Sequence, residues 1–193
     1  MDGCRPLGEK EVERIARFLG PRDKAWFFVG IATGLRITEV LSLRRADLRA
    51  RGKDFDRRIF VDKERLKGKK RGRVVFLDKR AKQALSAWLK VNRGPLLFPS
   101  PFDSSKPISR GTAHAIIRGA AQKARVKMAG VGTHSMRKTF ALRAYVKLQE
   151  LAKVALIIGH QDIRSTARYV PGCSERELWD TVNGALVAGF IRC

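Results

Sequence analysis

The stretch of the chain best equipped for chemistry reads THSMRKTF, then IIGH, then RSTARYV. It contains two of the three histidines, His134 and His160, and it ends at Tyr169. On a helix, His134, Arg137 and Lys138 stand at i, i+3 and i+4, so they project from one face. An arginine fork flanked by further donors is suited to binding a phosphate. We therefore expect these residues to bind one phosphate, which the Tyr169 hydroxyl attacks.

A second basic motif, TGLRITE, lies about a hundred residues upstream. Its Arg36 is predicted at the start of a short helix, with Glu39 one turn later. A carboxylate at that spacing can hold a guanidinium in one orientation. Taken alone, Arg36 would be interpreted as a solvated surface charge, so its role depends on convergence with the downstream motifs.

The charge balance favours a polyanionic partner. The chain has 41 Lys and Arg against 18 Asp and Glu, a net charge of +23. A folded protein with that excess is typical of nucleic-acid binding. An anionic membrane is the alternative, but no lysine-rich amphipathic anchor and no run of about 18 apolar residues is present. We expect double-stranded DNA as the partner and no membrane.

The three cysteines indicate the compartment. Cys4, Cys173 and Cys193 are odd in number and form no CxxC pair. Such usage argues against a disulfide framework and favours a reducing compartment. No signal-peptide pattern occurs near the start. We expect a cytoplasmic protein associated with the nucleoid.

Apolar periodicity predicts a mainly α fold with a small antiparallel β-hairpin or sheet, an α+β class. The helix over 109–125 should be capped by Ser109. His114 within it is interpreted as a packing or surface histidine, and Tyr145 as structural. The predicted helices are 8–19, Asp23 to Gly34, 35–43, 79–92, 109–125, one from His134, 150–158 and one from Ser174.

Between residues 54 and 77 two strand-like segments flank a basic, glycine-broken loop. This pattern predicts a β-hairpin with a long cationic tip. The alternative is a solvated turn that contacts phosphates without taking part in chemistry. The cations predicted to bind DNA or to act at this tip are Lys63, Lys67, Lys69, Lys70 and Arg71.

Several catalytic signatures are missing from the sequence. There is no HExxH, no paired Cys/His ligand set and no cluster of carboxylates at metal-binding spacing. The GxxxxGK[ST] phosphate loop is also absent. A chain that cuts nucleic acid with these residues would use a side-chain nucleophile. We expect neither a metal nor another cofactor.

Four segments together resemble the tyrosine recombinase (phage integrase) family. TGLRITEVLSL, THSMRKTFALRAY and IIGHQDIRSTARYV look like its three sequence boxes, in order and at similar separations. KGKKRGRVVFL resembles its lysine-bearing hairpin. The resemblance covers about residues 8 to 185 and implies the fold of that family's catalytic domain.

The resemblance implies a role for each matching residue. Arg36 and Arg137 would bind the scissile phosphate, and Glu39 would support the first of them. His134 and His160 would donate to phosphoryl oxygens.

The remaining matches concern proton transfer. Lys67 would be the general acid and Tyr169 the nucleophile. Many relatives have a second histidine where this chain has Lys138. Because a protonated lysine is a poor base, the group that deprotonates Tyr169 stays open.

The implied activity is site-specific cleavage and rejoining of DNA through a 3′-phosphotyrosyl intermediate, as in the integration or excision of a mobile element. The alternatives are a type IB topoisomerase-like enzyme and a non-catalytic basic DNA-binding protein derived from an integrase. The resemblance also implies a tetramer on DNA and a monomer when free. Residues 1–193 are expected to form a single catalytic domain without the core-binding domain that usually precedes it. Either the chain acts alone as a minimal recombinase, or another chain supplies the clamp.

Overall fold

The computed structural model describes residues 4–51, 54–66, 72–159 and 166. They form a mainly helical protein with one small antiparallel sheet, which confirms the predicted fold class. No helix in these ranges is long and apolar enough to cross a bilayer. The helices are α1 Glu9–Arg17, α2 Pro21–Thr33, α3 Ile37–Leu41, α4 Lys79–Leu89, α5 Arg110–Lys123, α6 His134–Leu148 and α7 Leu151–Ile158. The strands are β1 Leu48–Arg51, β2 Asp54–Val61 and β3 Arg73–Phe76.

Helix α2 ends where the sequence predicts, but it begins two residues before the predicted start. Gly34 terminates it in the left-handed conformation at φ 64°, which glycine adopts without steric cost. The predicted start near Asp23 is wrong, because Pro21 occupies the first helical position, where its missing N–H costs nothing. The Asp23 carboxylate instead accepts a hydrogen bond from Trp26 Nε1 at 3.0 Å.

The sheet contains the predicted hairpin and one further strand. β2 pairs antiparallel with β3, with Ile59 opposite Val75. β1 pairs with the other edge of β2 and was not predicted, because LRAR has no clear alternation of apolar and polar residues. The sheet places Arg73, the first residue of β3, at the end of the hairpin nearest its tip.

The main core brings α2 against α6. Trp26, Phe27 and Val29 are completely buried, as predicted, and Met136 packs with them. A Cβ added at Gly30 would lie 2.8 Å from Met136 Sδ, and one at Gly34 would overlap the Phe140 ring. These two glycines therefore allow α6 to approach the C-terminal half of α2 closely. That approach carries Arg137 to the end of α2.

A second, smaller core joins α6 to α7. Ala141, Val154 and Ile158 are buried together, and Tyr145 packs against them, consistent with its structural interpretation. Helix α7 ends at Gly159, in the left-handed conformation at φ 75°, as the sequence predicts. The helix predicted from Ser174 lies outside the described residues.

Candidate active site

Arg36 lies immediately before α3, two residues after Gly34, which terminates α2. Glu39 is buried and accepts two hydrogen bonds from it. The Arg36 backbone N–H donates to Oε2 at 2.8 Å, and its Nη1 donates to Oε1 at 3.1 Å. The Arg36 side chain keeps 29% of its surface exposed. Glu39 thus orients the guanidinium while leaving part of it accessible.

Arg137 joins the ends of two helices. It lies in α6 and is only 2% exposed. Its Nη1 donates to the Gly34 carbonyl oxygen at 2.5 Å, and its Nη2 donates to the Ile158 carbonyl oxygen at 2.9 Å. Gly34 is two residues before Arg36, and Ile158 is two residues before His160. One guanidinium therefore connects all three sequence motifs.

His134 is the first residue of α6 and lies among cations. Burial lowers its pKa first, and the positive charges of Arg137, Arg110, Arg36 and Lys138 lower it further. A cation beside an imidazole disfavours the imidazolium. His134 is exposed to solvent on one side, and its lowered pKa makes it neutral near pH 7.

Arg73 belongs to the same region, although the sequence interpretation did not single it out. Its Nη1 donates to the Ile158 carbonyl at 3.2 Å, and its Nη2 donates to the Ile157 carbonyl. Burial lowers its pKa; nearby Glu39 opposes this and Arg36 adds to it. One signal was available, because strand alternation places Arg73 on the same face as buried Val75, where a charged group needs partners.

Arg110 is the other residue that was missed. It opens α5, directly after the Ser109 cap, whose hydroxyl accepts from the Thr112 N–H at 3.0 Å. Its place in the sequence gives no sign that it lies close enough to His134 to lower that pKa. Only the folded chain, in which α5 contacts Val131 and Gly132 just before α6, reveals it.

Of the other predicted site residues, two lie within the described part of the chain and six lie outside it. Lys63 is exposed in a short 3-10 turn, Lys63–Arg65, and Lys138 is partly buried on α6. Among the residues that the structure describes, no group of three or more His, Cys, Asp or Glu side chains could hold a metal ion. Outside the described residues lie Lys67, Lys69, Lys70, Arg71, His160 and Tyr169.

The sequence and the fold both match known proteins. The model of the "Phage integrase family" matches residues 5–173. The "Probable integrase/recombinase YoeC" of Bacillus subtilis (strain 168) is 27% identical over 164 residues, which is 83% of this chain and 85% of YoeC. The chain spans only about half the length of the curated relatives named XerC and XerD that it matches.

Two solved structures share the fold. The XerA recombinase superposes with a TM-score of 0.72 at 22% identity, over 92% of this chain and 63% of that one. The XerH site-specific recombinase bound to its difH substrate, in a pre-cleavage complex, has a TM-score of 0.69 at 19% identity, over 94% of this chain and 55% of that one. At these identities the superpositions establish the fold.

Proposed function

The chain belongs to the phage integrase family, and from this premise we propose that it cleaves and rejoins DNA strands at specific sites through a 3′-phosphotyrosyl intermediate on Tyr169. The observation that carries the proposal is the position of Arg137, which binds the carbonyls of Gly34 and Ile158 at 2.5 and 2.9 Å. These contacts draw the segments before Arg36 and His160 toward one point. Relatives of the chain are named tyrosine recombinases.

Double-stranded DNA is the proposed partner. The net charge of +23 suits a polyanion, and the XerH structure that shares this fold is bound to its difH substrate. We infer that the hairpin cations Lys63, Lys69, Lys70 and Arg71 contact the DNA backbone. Such contacts give affinity and salt dependence without reading sequence.

The paired arginines would stabilise the transition state. Attack on a phosphodiester places additional negative charge on the non-bridging oxygens, and preorganised cations lower the energy of that charge. Arg36 and Arg137 carry permanent charges, and each is already oriented by the fold. Two guanidiniums can therefore supply this stabilisation without a metal or another cofactor.

Proton transfer would use a base and an acid at opposite ends of the reaction. Lys138 is a poor base when protonated, whereas the lowered pKa of His134 leaves a neutral imidazole at pH 7. The resemblance implies that His134 donates to a phosphoryl oxygen; we infer instead that it accepts the Tyr169 proton, and that Lys67 protonates the departing 5′ oxygen. His160 would donate to a phosphoryl oxygen. Rejoining reverses the attack, so no external energy source is required.

Assembly and location are part of the same proposal. Exchange of strands needs more than one active site, so we infer a tetramer on two DNA duplexes and a monomer without DNA. An accessory protein that holds the duplex is part of the proposed assembly. The protein would work in the cytoplasm, on the nucleoid.

The test uses a nicked suicide duplex, from which the cleaved fragment diffuses away and traps the protein on DNA. We expect a covalent adduct that survives a denaturing gel and is lost in Tyr169→Phe. Tight DNA binding without an adduct would instead favour a non-catalytic DNA-binding protein. Relaxation of supercoiled DNA with no sequence preference would favour a type IB topoisomerase-like activity.

A further inference from the structure

The C-terminal end of α7 is held by two arginines from different parts of the chain. The Gly159 N–H bonds back to the carbonyls of Ala155 and Leu156, and the carbonyls of Ile157 and Ile158, in the last turn of α7, accept no backbone N–H from the residues that the structure describes. These terminal oxygens also carry the negative end of the helix dipole. Arginine side chains donate to both of these carbonyls.

Arg73 supplies most of this contact. Its two terminal nitrogens donate to the two carbonyls separately, Nη1 to Ile158 at 3.2 Å and Nη2 to Ile157. The Ile158 oxygen also accepts from Arg137 Nη2 at 2.9 Å. Arg73 and Arg137 therefore share one acceptor, and the place of that acceptor determines where Arg137 can bind.

The arrangement is electrostatically costly. Arg36, Arg73 and Arg137 lie in one region in which Glu39 is a buried carboxylate. Burial and the charge of Arg36 both lower the pKa of Arg73, so its charged form is disfavoured at this position. An apolar side chain on the same face of β3 would avoid that cost, as Val75 does. A contact that compensates for such a cost points to a role beyond packing.

We propose that Arg73 is a positioning residue, which holds the Ile157 and Ile158 carbonyls so that the Ile158 oxygen keeps the Arg137 guanidinium aimed at the scissile phosphate. The inference rests on the proposed function. It differs from a direct phosphate contact, because Arg73 acts on DNA only through Arg137. Its flat fork matters as much as its charge, since two terminal nitrogens reach the two carbonyls from separate positions, whereas a lysine would have to reach both from one nitrogen.

The experiment compares Arg73→Lys and Arg73→Met with wild type. Two quantities are measured, namely the single-turnover rate of adduct formation at saturating suicide duplex and the Kd for the same duplex across a salt series. We expect both variants to lose about tenfold to a hundredfold in rate, the effect of a small misplacement of a catalytic group. The Kd and its salt dependence should stay at the wild-type values. The thermal midpoint of Arg73→Lys should stay near that of wild type.

The matched control is Arg58→Met, on the neighbouring strand β2. Arg58 pairs with Asp56 at 2.5 Å and is about half exposed, so its loss should leave the rate unchanged. A drop of about 0.9 in the slope of log Kd against log salt for Arg73→Lys would indicate a direct phosphate contact and overturn the proposal. A wild-type rate in Arg73→Lys would overturn it as well. If wild type forms no adduct, the proposed function fails first, whereas an active wild type with unaffected Arg73 variants refutes this inference alone.

Discussion

Two arginine–carboxylate pairs in this protein share the same local hydrogen-bond pattern but have different roles. In each, a carboxylate accepts the backbone N–H of the residue three positions earlier. Glu39 accepts from Arg36 N at 2.8 Å, and Asp47 accepts from Arg44 N at 2.7 Å. Each carboxylate also binds a guanidinium, that of Arg36 in the first pair and of Arg65 in the second.

The pairs differ in how much of the guanidinium they use. Arg65 donates through both terminal nitrogens to both Asp47 oxygens, and its Nη1 also donates to the Ser42 carbonyl at 3.2 Å. The contact with Asp47 raises the pKa of Arg65. Arg36 makes one side-chain bond to Glu39 at 3.1 Å. A bidentate pair is structural, whereas a singly bonded arginine is oriented and still able to bind a ligand.

The largest expected effect tests the Arg36 side of this comparison. Arg36→Lys keeps the charge but loses the planar fork, so we expect adduct formation to slow roughly 100- to 1,000-fold, as for loss of an oriented transition-state donor. Its free energy of unfolding should be close to that of wild type. Single-turnover gels and urea titrations measure the two quantities. An Arg36→Lys enzyme that is fully active but unstable would show that the Arg36–Glu39 pair is structural and not functional.

The next effect tests the Asp47 side. Asp47→Asn leaves the Arg65 guanidinium without its charged partner, and we expect a loss of about 3 kcal/mol in the free energy of unfolding. Adduct formation at low temperature, where the variant stays folded, should match wild type. The control is Asp103→Asn, in an exposed loop, which should leave stability unchanged. Unaltered urea stability in Asp47→Asn would show that bidentate geometry does not mark a structural pair here.

The smallest effect concerns the cations near Arg36. The charged groups that act on Arg65 are instead the carboxylates of Asp47, Asp62 and Glu64. The cations near Arg36 lower the pKa of His134, so its neutral, proton-accepting form persists at pH 6.5 and is lost only as pH falls through the lowered pKa. Arg110→Gln removes one exposed cation, which raises that pKa and moves the acid limb of the rate profile to higher pH.

The rate of Arg110→Gln at pH 8 and saturating DNA should stay within about twofold of wild type, because exposed charges contribute little energy. Lys123→Gln, in the last turn of the same helix, is the control and should leave the profile in place. An acid limb that moves equally in both variants, or in neither, would exclude His134 as the titrating base.

Local chemistry made much of the fold predictable. The ends of α2 and α7 follow from Gly34 and Gly159, each of which stops a helix through a positive φ. Ser109 caps α5 as its side chain dictates. The strand β1 was missed because its pairing depends on β2, a residue-to-residue match that no single segment reveals.

The candidate site was predictable only in part, for a similar reason. Arg36, Glu39 and His134 could be named because the motifs match a known family. Arg73 and Arg110 act on groups that are distant in the sequence, Arg73 on the Ile157 and Ile158 carbonyls and Arg110 on the pKa of His134. The near-complete burial of Arg137 was also not foreseen. The i, i+3 and i+4 spacing shows that residues share one face of a helix, but it does not show which other elements pack on that face.

Arg137 is anchored by main-chain oxygens, and this has a consequence for how the protein can evolve. Every amino acid carries the same carbonyl, so replacements at position 158 can leave the anchor intact provided that the end of α7 keeps its course, whereas position 34 needs glycine for its positive φ and its close approach to the Phe140 ring. Selection on this contact then acts on the backbone conformation at the acceptor and not on the identity of its side chain. Correlated substitutions among homologues would accordingly report little about the link between the three motifs, even though one side chain makes it.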